Sequence, residues 1–127
     1  VWDRLEENEL SLIVTEAVAA LFPGDPPRFL SRTPYAYHEI GTIRTELADA
    51  GFSSIGVDTV QRYSRAHSPR DAVIGLCQGT PLRNEIEARD PSRLDAATDA
   101  AERAVAARFG DGPVSAKMRA HLITGTI

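Results

Sequence analysis

Three times in the middle of this chain a side-chain oxygen stands directly before a proline: Ser68-Pro69, Thr80-Pro81 and Asp90-Pro91. An oxygen of Ser, Thr or Asp can satisfy the free N–H groups at the start of a helix. Proline suits the first turn, where its fixed φ is already helical and its missing N–H is not needed. Asp71, three positions after Ser68, can return a bond or favour the positive end of the helix dipole. Three consecutive helices are therefore expected, at about 69–78, 81–89 and 92–109. The last carries Leu94, Ala97, Ala101, Val105 and Phe109 at helical spacing. Its Ala-rich run adds intrinsic propensity, and Gly110-Asp111-Gly112-Pro113 ends it.

The flanking segments read by the same rules. Val1-Trp2-Asp3 favours extended structure and reads as the end of a strand, followed by polar residues and a possible helix cap at Asn8. Leu10, Ile13, Val14, Ala17, Val18, Leu21 and Phe22 recur three and four apart, the stripe of one helix face, which Pro23-Gly24-Asp25-Pro26-Pro27 stops. Residues 28–37 follow neither period and read as an ordered loop. A second helix is expected from about His38 to Ala50, with Ile40, Ile43 and Leu47 inward and Gly51 as a left-handed cap. A strand follows near 54–65. In the tail, Met118, Ala120 and Leu122 alternate with Lys117, Arg119 and His121, as in a strand with the first set buried and the second wet. The predicted order is strand end, helix, helix, strand, three helices, strand: an α/β fold in one domain over 1–127, with a helical insertion over 66–113.

Composition limits what such a domain does. Fourteen Lys and Arg stand against eighteen Asp and Glu, giving a net charge of -4, and the basic residues are scattered, so a nucleic-acid partner is not expected. A single cysteine, Cys77, allows no internal disulfide and fits a cytoplasmic setting. No apolar run approaches the roughly 20 residues of a membrane span. The three histidines, His38, His67 and His121, show no ligand-like spacing, so no metal site is expected. Neither a Gly-x-Ser-x-Gly elbow nor a phosphate loop occurs. The only methionine is Met118, and an opening on Val1-Trp2-Asp3 reads as a cut rather than a start.

Val1-Trp2-Asp3-Arg4 with Glu7-Asn8, then Leu47-Ala48-Asp49-Ala50-Gly51-Phe52 before a strand, then the tail Lys117 to Thr124, together resemble the closing portion of class I S-adenosylmethionine-dependent methyltransferases. The likeness covers nearly all of this chain and about half of such an enzyme. It implies the C-terminal part of a Rossmann-like fold. The segment at Trp2 would leave the fifth strand, Ile55 and Val57 would lie in the sixth, and the tail would form an antiparallel seventh strand between them. The family's glycine-rich loop after the first strand and its acidic ribose ligand have no counterpart here. The resemblance therefore implies an acceptor-facing half acting on a small molecule, inactive alone, with S-adenosylmethionine bound by the other half and no cofactor expected on this one. The rival is a stand-alone α+β module for ligand binding or dimerisation.

Trp2 stands at a strand's carboxyl end, where open α/β sheets bind ligands, although plain core packing is an equal use for it. Asp3 either holds an acceptor amine or solvates the strand exit. Tyr35, Tyr37 and His38 cluster groups suited to aromatic contact and proton exchange between a proline-rich loop and a helix, and they could equally pack on that helix. Cys77 and Gln78 punctuate the helical insertion that commonly shapes the acceptor pocket in methyltransferases of this shape. Loss of most of the fifth strand would leave an open edge and an apolar face, so a homodimer joined by strand edges or a swapped element is expected.

Overall fold

The helix starts follow their local chemistry. In the computed structural model, which describes residues 1–127, the Ser68 side chain accepts a bond from the Asp71 N–H at 3.1 Å, and α4 runs Pro69–Gln78. The Thr80 hydroxyl accepts from the Leu82 N–H at 3.2 Å, at the head of α5, Leu82–Arg89. Asp90 accepts from the Ser92 N–H at 2.9 Å; a 3-10 turn over Pro91–Arg93 then leads into α6, Leu94–Phe109. Upstream lie α1 (Glu9–Leu21), the single turn α2 (Phe29–Arg32) and α3 (Ile40–Asp49). The expected loop over 28–37 thus contains a helical turn, formed because Leu30 is buried and fixes the backbone around it. Gly51, at φ +99°, closes α3 as expected. No helix is long and apolar enough to cross a membrane.

Two strands of thirteen residues, β1 (Ser54–Ala66) and β2 (Val114–Thr126), pair antiparallel along their whole length, from Ser54 opposite Thr126 to Ala66 opposite Val114. The three helices α4 to α6 lie between them in sequence, so the last two strands are antiparallel but joined by a long helical excursion. Residues 1–3 add a third short row on the far side of β2. Trp2 bridges Ala120, and bonds run from the Asp3 N–H to the Arg119 carbonyl at 3.0 Å and from the His121 N–H to the Val1 carbonyl at 2.8 Å. β2 is therefore flanked by β1 on one side and the N-terminal segment on the other.

An isolated ribbon of two strands is marginal in water, and helices supply its cover. They do so from both sides. Alternate residues of a strand face opposite ways. One face packs Ala66, Val114 and Ala116 into a core with Val14 and Val18 of α1, Val73 and Cys77 of α4, Leu82 and Ile86 of α5, and Ala97, Ala101 and Val105 of α6. Small side chains every four residues along α6 let its neighbours approach closely. At the other end of the ribbon α3 crosses the opposite face, where Ile43, Leu47 and Phe52 meet Ile123 and Gly125. Gly125 allows a close approach there: a Cβ would stand 2.7 Å from the Phe52 ring, which would have to shift.

This two-sided cover corrects the simple alternation expected for the tail. His121, expected wet, is 5% exposed, whereas Leu122, expected buried, is 57% exposed. The covered face changes midway along β2: Val114 and Ala116 join the core with α1, α4 and α6, whereas Ile123 and Gly125 lie beside α3 on the opposite face. Asn8 is a second correction. It precedes α1 but makes no side-chain cap; its amide is used elsewhere.

Candidate functional site

Between α1, α4 and the first half of the ribbon lies a partly open cavity of about 260 Å³. Trp2 and Tyr35 form one wall, their ring centroids 5.8 Å apart and their planes tilted by 42°. Met118 and Ser64 come from the ribbon, and Leu10 and Ser11 from α1. The α4 wall is Ala72, Gly75 and Leu76, spaced three and four apart on one helix face. The buried Ser11 hydroxyl donates to the Tyr35 hydroxyl at 2.8 Å, which leaves the Tyr35 O–H to be given to a third group. Lys117 is the one charged residue on the lining, and its Nζ is taken up by Glu7 Oε2 at 2.6 Å. That bond, with further help from Arg4 and Arg119, holds the Glu7 carboxyl below its ordinary pKa.

Gly75 is unusual in this wall. It sits inside a helix, where glycine costs about 1 kcal/mol relative to alanine. Its φ is not positive, and a Cβ added to it would meet nothing within 4 Å. Neither backbone conformation nor crowding accounts for the missing side chain. What its absence provides is room in the cavity.

On the other face of the sheet a polar network ties the N-terminal segment to the ribbon. The Arg119 Nε bonds Asp3 Oδ2 at 2.6 Å, and His121 Nε2 lies 3.2 Å from Asp3 Oδ1. Thr59 Oγ1 lies 2.9 Å from His121 Nδ1, so both ring nitrogens are engaged. Asn8 completes the set: its amide NH2 donates to the carbonyls of Asp3, Arg4 and Arg119, and its oxygen accepts the Arg119 N–H at 3.0 Å. Asp3, read from sequence as a surface or acceptor-binding group, is instead buried and paired.

Burial alone would raise the Asp3 pKa, but the Arg119 hydrogen bond, the Arg4 N–H and the attraction of His121 and Arg119 outweigh it, and the net shift is downward. The unfolded chain then takes up the Asp3 proton at higher pH than the folded one. The associated stability is complete above the unfolded value, about pH 4, and is lost as pH falls through the lower folded value. Asp3→Asn is accordingly expected to destabilise the chain at pH 7 and to flatten its loss of stability between pH 5 and pH 2, measured by denaturant titration at each pH. An unchanged pH profile would remove Asp3 from the acid response.

Of the residues singled out from sequence, the structure brings Trp2 and Tyr35 together on one cavity. Tyr37 lies on the far face beside α3; its hydroxyl donates to the Glu46 carboxylate, which raises the tyrosine pKa. His38 borders a shallow depression with Asp3, Thr59, Arg119 and His121, across the sheet from the cavity. Cys77 is fully buried in the helical core, and that burial pushes its thiol up to about 11, so it is not a ready nucleophile. The Gln78 amide donates to Thr98 Oγ1 at 3.1 Å and is taken up between α4 and α6. Sequence reading missed Ser11, Gly75 and Met118. Only the polar Ser11 within an otherwise apolar helix stripe carried a local signal.

No protein-family model and no curated protein sequence matches this chain.

Proposed function

We propose that this chain is the acceptor-facing, C-terminal half of a class I S-adenosylmethionine-dependent methyltransferase, and that the cavity at Trp2 and Tyr35 receives a small-molecule acceptor. The observation that carries the reading is the order of the extended segments. Residues 1–3, β2 and β1 lie side by side in that order, with β2 antiparallel to both neighbours. This is the order expected for the fifth, seventh and sixth strands of that fold. The cavity opens beside Trp2, at the end of the segment that would be the fifth strand, where ligands of open α/β sheets bind.

These residues do not fit the methyl donor. Its usual cradle is a glycine-rich turn between a strand and a helix. Here Gly51 and Gly110 close helices, and Gly75 and Gly79 lie within or at the end of α4. The reading therefore requires a donor-binding half that these residues do not supply. This chain's contribution is orientation: the aromatic wall and the Ser11–Tyr35 hydroxyl pair hold the acceptor.

The rival reading, a ligand-binding module without catalysis, draws on one observation: every wall of the cavity comes from within these residues. The two separate in a transfer assay. The longer reading frame containing this chain is expected to move labelled methyl from S-adenosylmethionine to a small molecule, and Trp2→Ala or Tyr35→Ala to lower kcat/KM about tenfold with donor affinity unchanged. Calorimetry of this chain alone with the donor is expected to give no binding heat. Donor binding by the chain alone would contradict the absence of a donor site from these residues, and no transfer by the longer frame would defeat the methyltransferase reading. We also propose that the chain pairs with a second copy. No strand covers the outer side of β1, and the Leu122 end of β2 is apolar and exposed. A monomer in sedimentation at high concentration would count against this pairing.

A further inference from the structure

We infer that the cavity takes an uncharged, flat compound of one or two rings that accepts a hydrogen bond from the Tyr35 hydroxyl. The inference rests on reading this cavity as the ligand pocket, and its test requires no methyl transfer. Size is the first constraint. A cavity of roughly 150 Å³ suffices for benzene, and this one, at about 260 Å³, leaves space for a further ring or its substituents. Shape is the second. The Trp2 and Tyr35 rings supply π surface, and Met118 adds to the lining a polarisable side chain that adapts to ring edges.

Charge is the third constraint. A charged ligand would shed water on entry and find no free counter-ion, because Lys117 already pairs with Glu7 at 2.6 Å. A neutral ligand still finds polar anchors on the lining, the Tyr35 hydroxyl among them. With Ser11 donating to Tyr35, the Tyr35 O–H is left for an oxygen or nitrogen on the ligand. Gly75 adds an independent sign that the space is kept for something. A helix-interior glycine with neither a positive φ nor a close neighbour weakens α4 for no gain in packing, whereas a side chain there would occupy the cavity.

Trp2 is the only tryptophan, so its indole N–H gives one resonance that reports directly on this wall. Titration of the chain with 2-naphthol, followed at that resonance by ¹H–¹⁵N NMR, is expected to give a saturable shift. 2-Naphthoate and 2-naphthylmethylammonium are expected to bind at least about tenfold more weakly. Tyr35→Phe is expected to reduce 2-naphthol affinity to that of naphthalene, leaving naphthalene itself unaffected. Gly75→Ala is expected to raise the melting temperature by about 4 °C while weakening 2-naphthol several-fold, opposite effects that a purely structural glycine would not produce. Equal binding of the charged probes, no saturable shift, or unchanged affinity in Gly75→Ala would each overturn the inference. If 2-naphthol binds as expected and the longer frame transfers no methyl group, only the methyltransferase reading falls. If methyl transfer is found on a charged acceptor, only the ligand class falls.

Discussion

Asn8→Ala is expected to lower the unfolding free energy by about 3 kcal/mol, because it strips partners from several buried backbone groups at once. Asn8 is 3% exposed and joins two pieces of chain through its side chain: the Asp3 and Arg4 carbonyls of the N-terminal segment and both backbone groups of Arg119 in β2. A methyl group satisfies none of them, and water has little access to replace the amide. Asn8→Asp is the informative control. It retains an acceptor for the Arg119 N–H but turns a carboxylate toward carbonyl oxygens, so it is expected to cost at least as much. The check is equilibrium denaturation together with amide exchange, in which the Arg119 and Asp3 amides should lose protection first. A loss below about 1 kcal/mol with those amides still protected would mean that the N-terminal segment is held by other contacts.

The second large effect lies in the helical core. Ile86→Ala is expected to cost about 3 to 4 kcal/mol by leaving a cavity in a close-packed core. The helix α5 is otherwise polar, with Leu82 and Ile86 as its buried residues, so half of its apolar anchorage goes with one side chain. Its remaining ties are surface ion pairs and bonds: Glu85 to Arg32 and to the Arg28 N–H, and Arg89 to Asp25 and the Pro26 carbonyl. Exposed pairs of this kind contribute little each. Arg32→Ala should therefore change stability by well under 1 kcal/mol, and the contrast between the two variants in denaturant titration separates packing from charge. A cost for Ile86→Ala near that of Arg32→Ala would show that α5 is peripheral to the core.

Both effects bear on how much the amino-acid order reveals. The helices α4, α5 and α6 were legible almost to the residue, since α4, α5 and the 3-10 turn that leads into α6 each follow a side-chain oxygen with a proline beside it, a device that acts within three or four residues. Gly51 was legible for the same reason: its positive φ serves a turn of its own neighbours. Asn8 was misread because its residue type suits a cap, while its partners include Arg119, far along the chain. Nothing adjacent to Asn8 signals that competition. The candidate site was half legible. Trp2 and Tyr35 announce themselves as aromatics near a strand end and a loop, but Tyr37, two residues from Tyr35, lies on the other side of the sheet.

What the sequence determined by itself is the set of elements and their ends, because capping, proline geometry and the three-four apolar spacing are local and need no partner. Only the tertiary structure decided which face of each strand is buried and where a ligand fits. β2 keeps a strict alternation, yet its cover passes from α1, α4 and α6 on one face to α3 on the other, so His121 is buried and Leu122 is not. The cavity is decided in the same way. It exists where Gly75, Ala72 and Ser64 bring too few atoms to fill the space between a helix and a ribbon, and a space of that kind is set by the distance between elements rather than by any one of them.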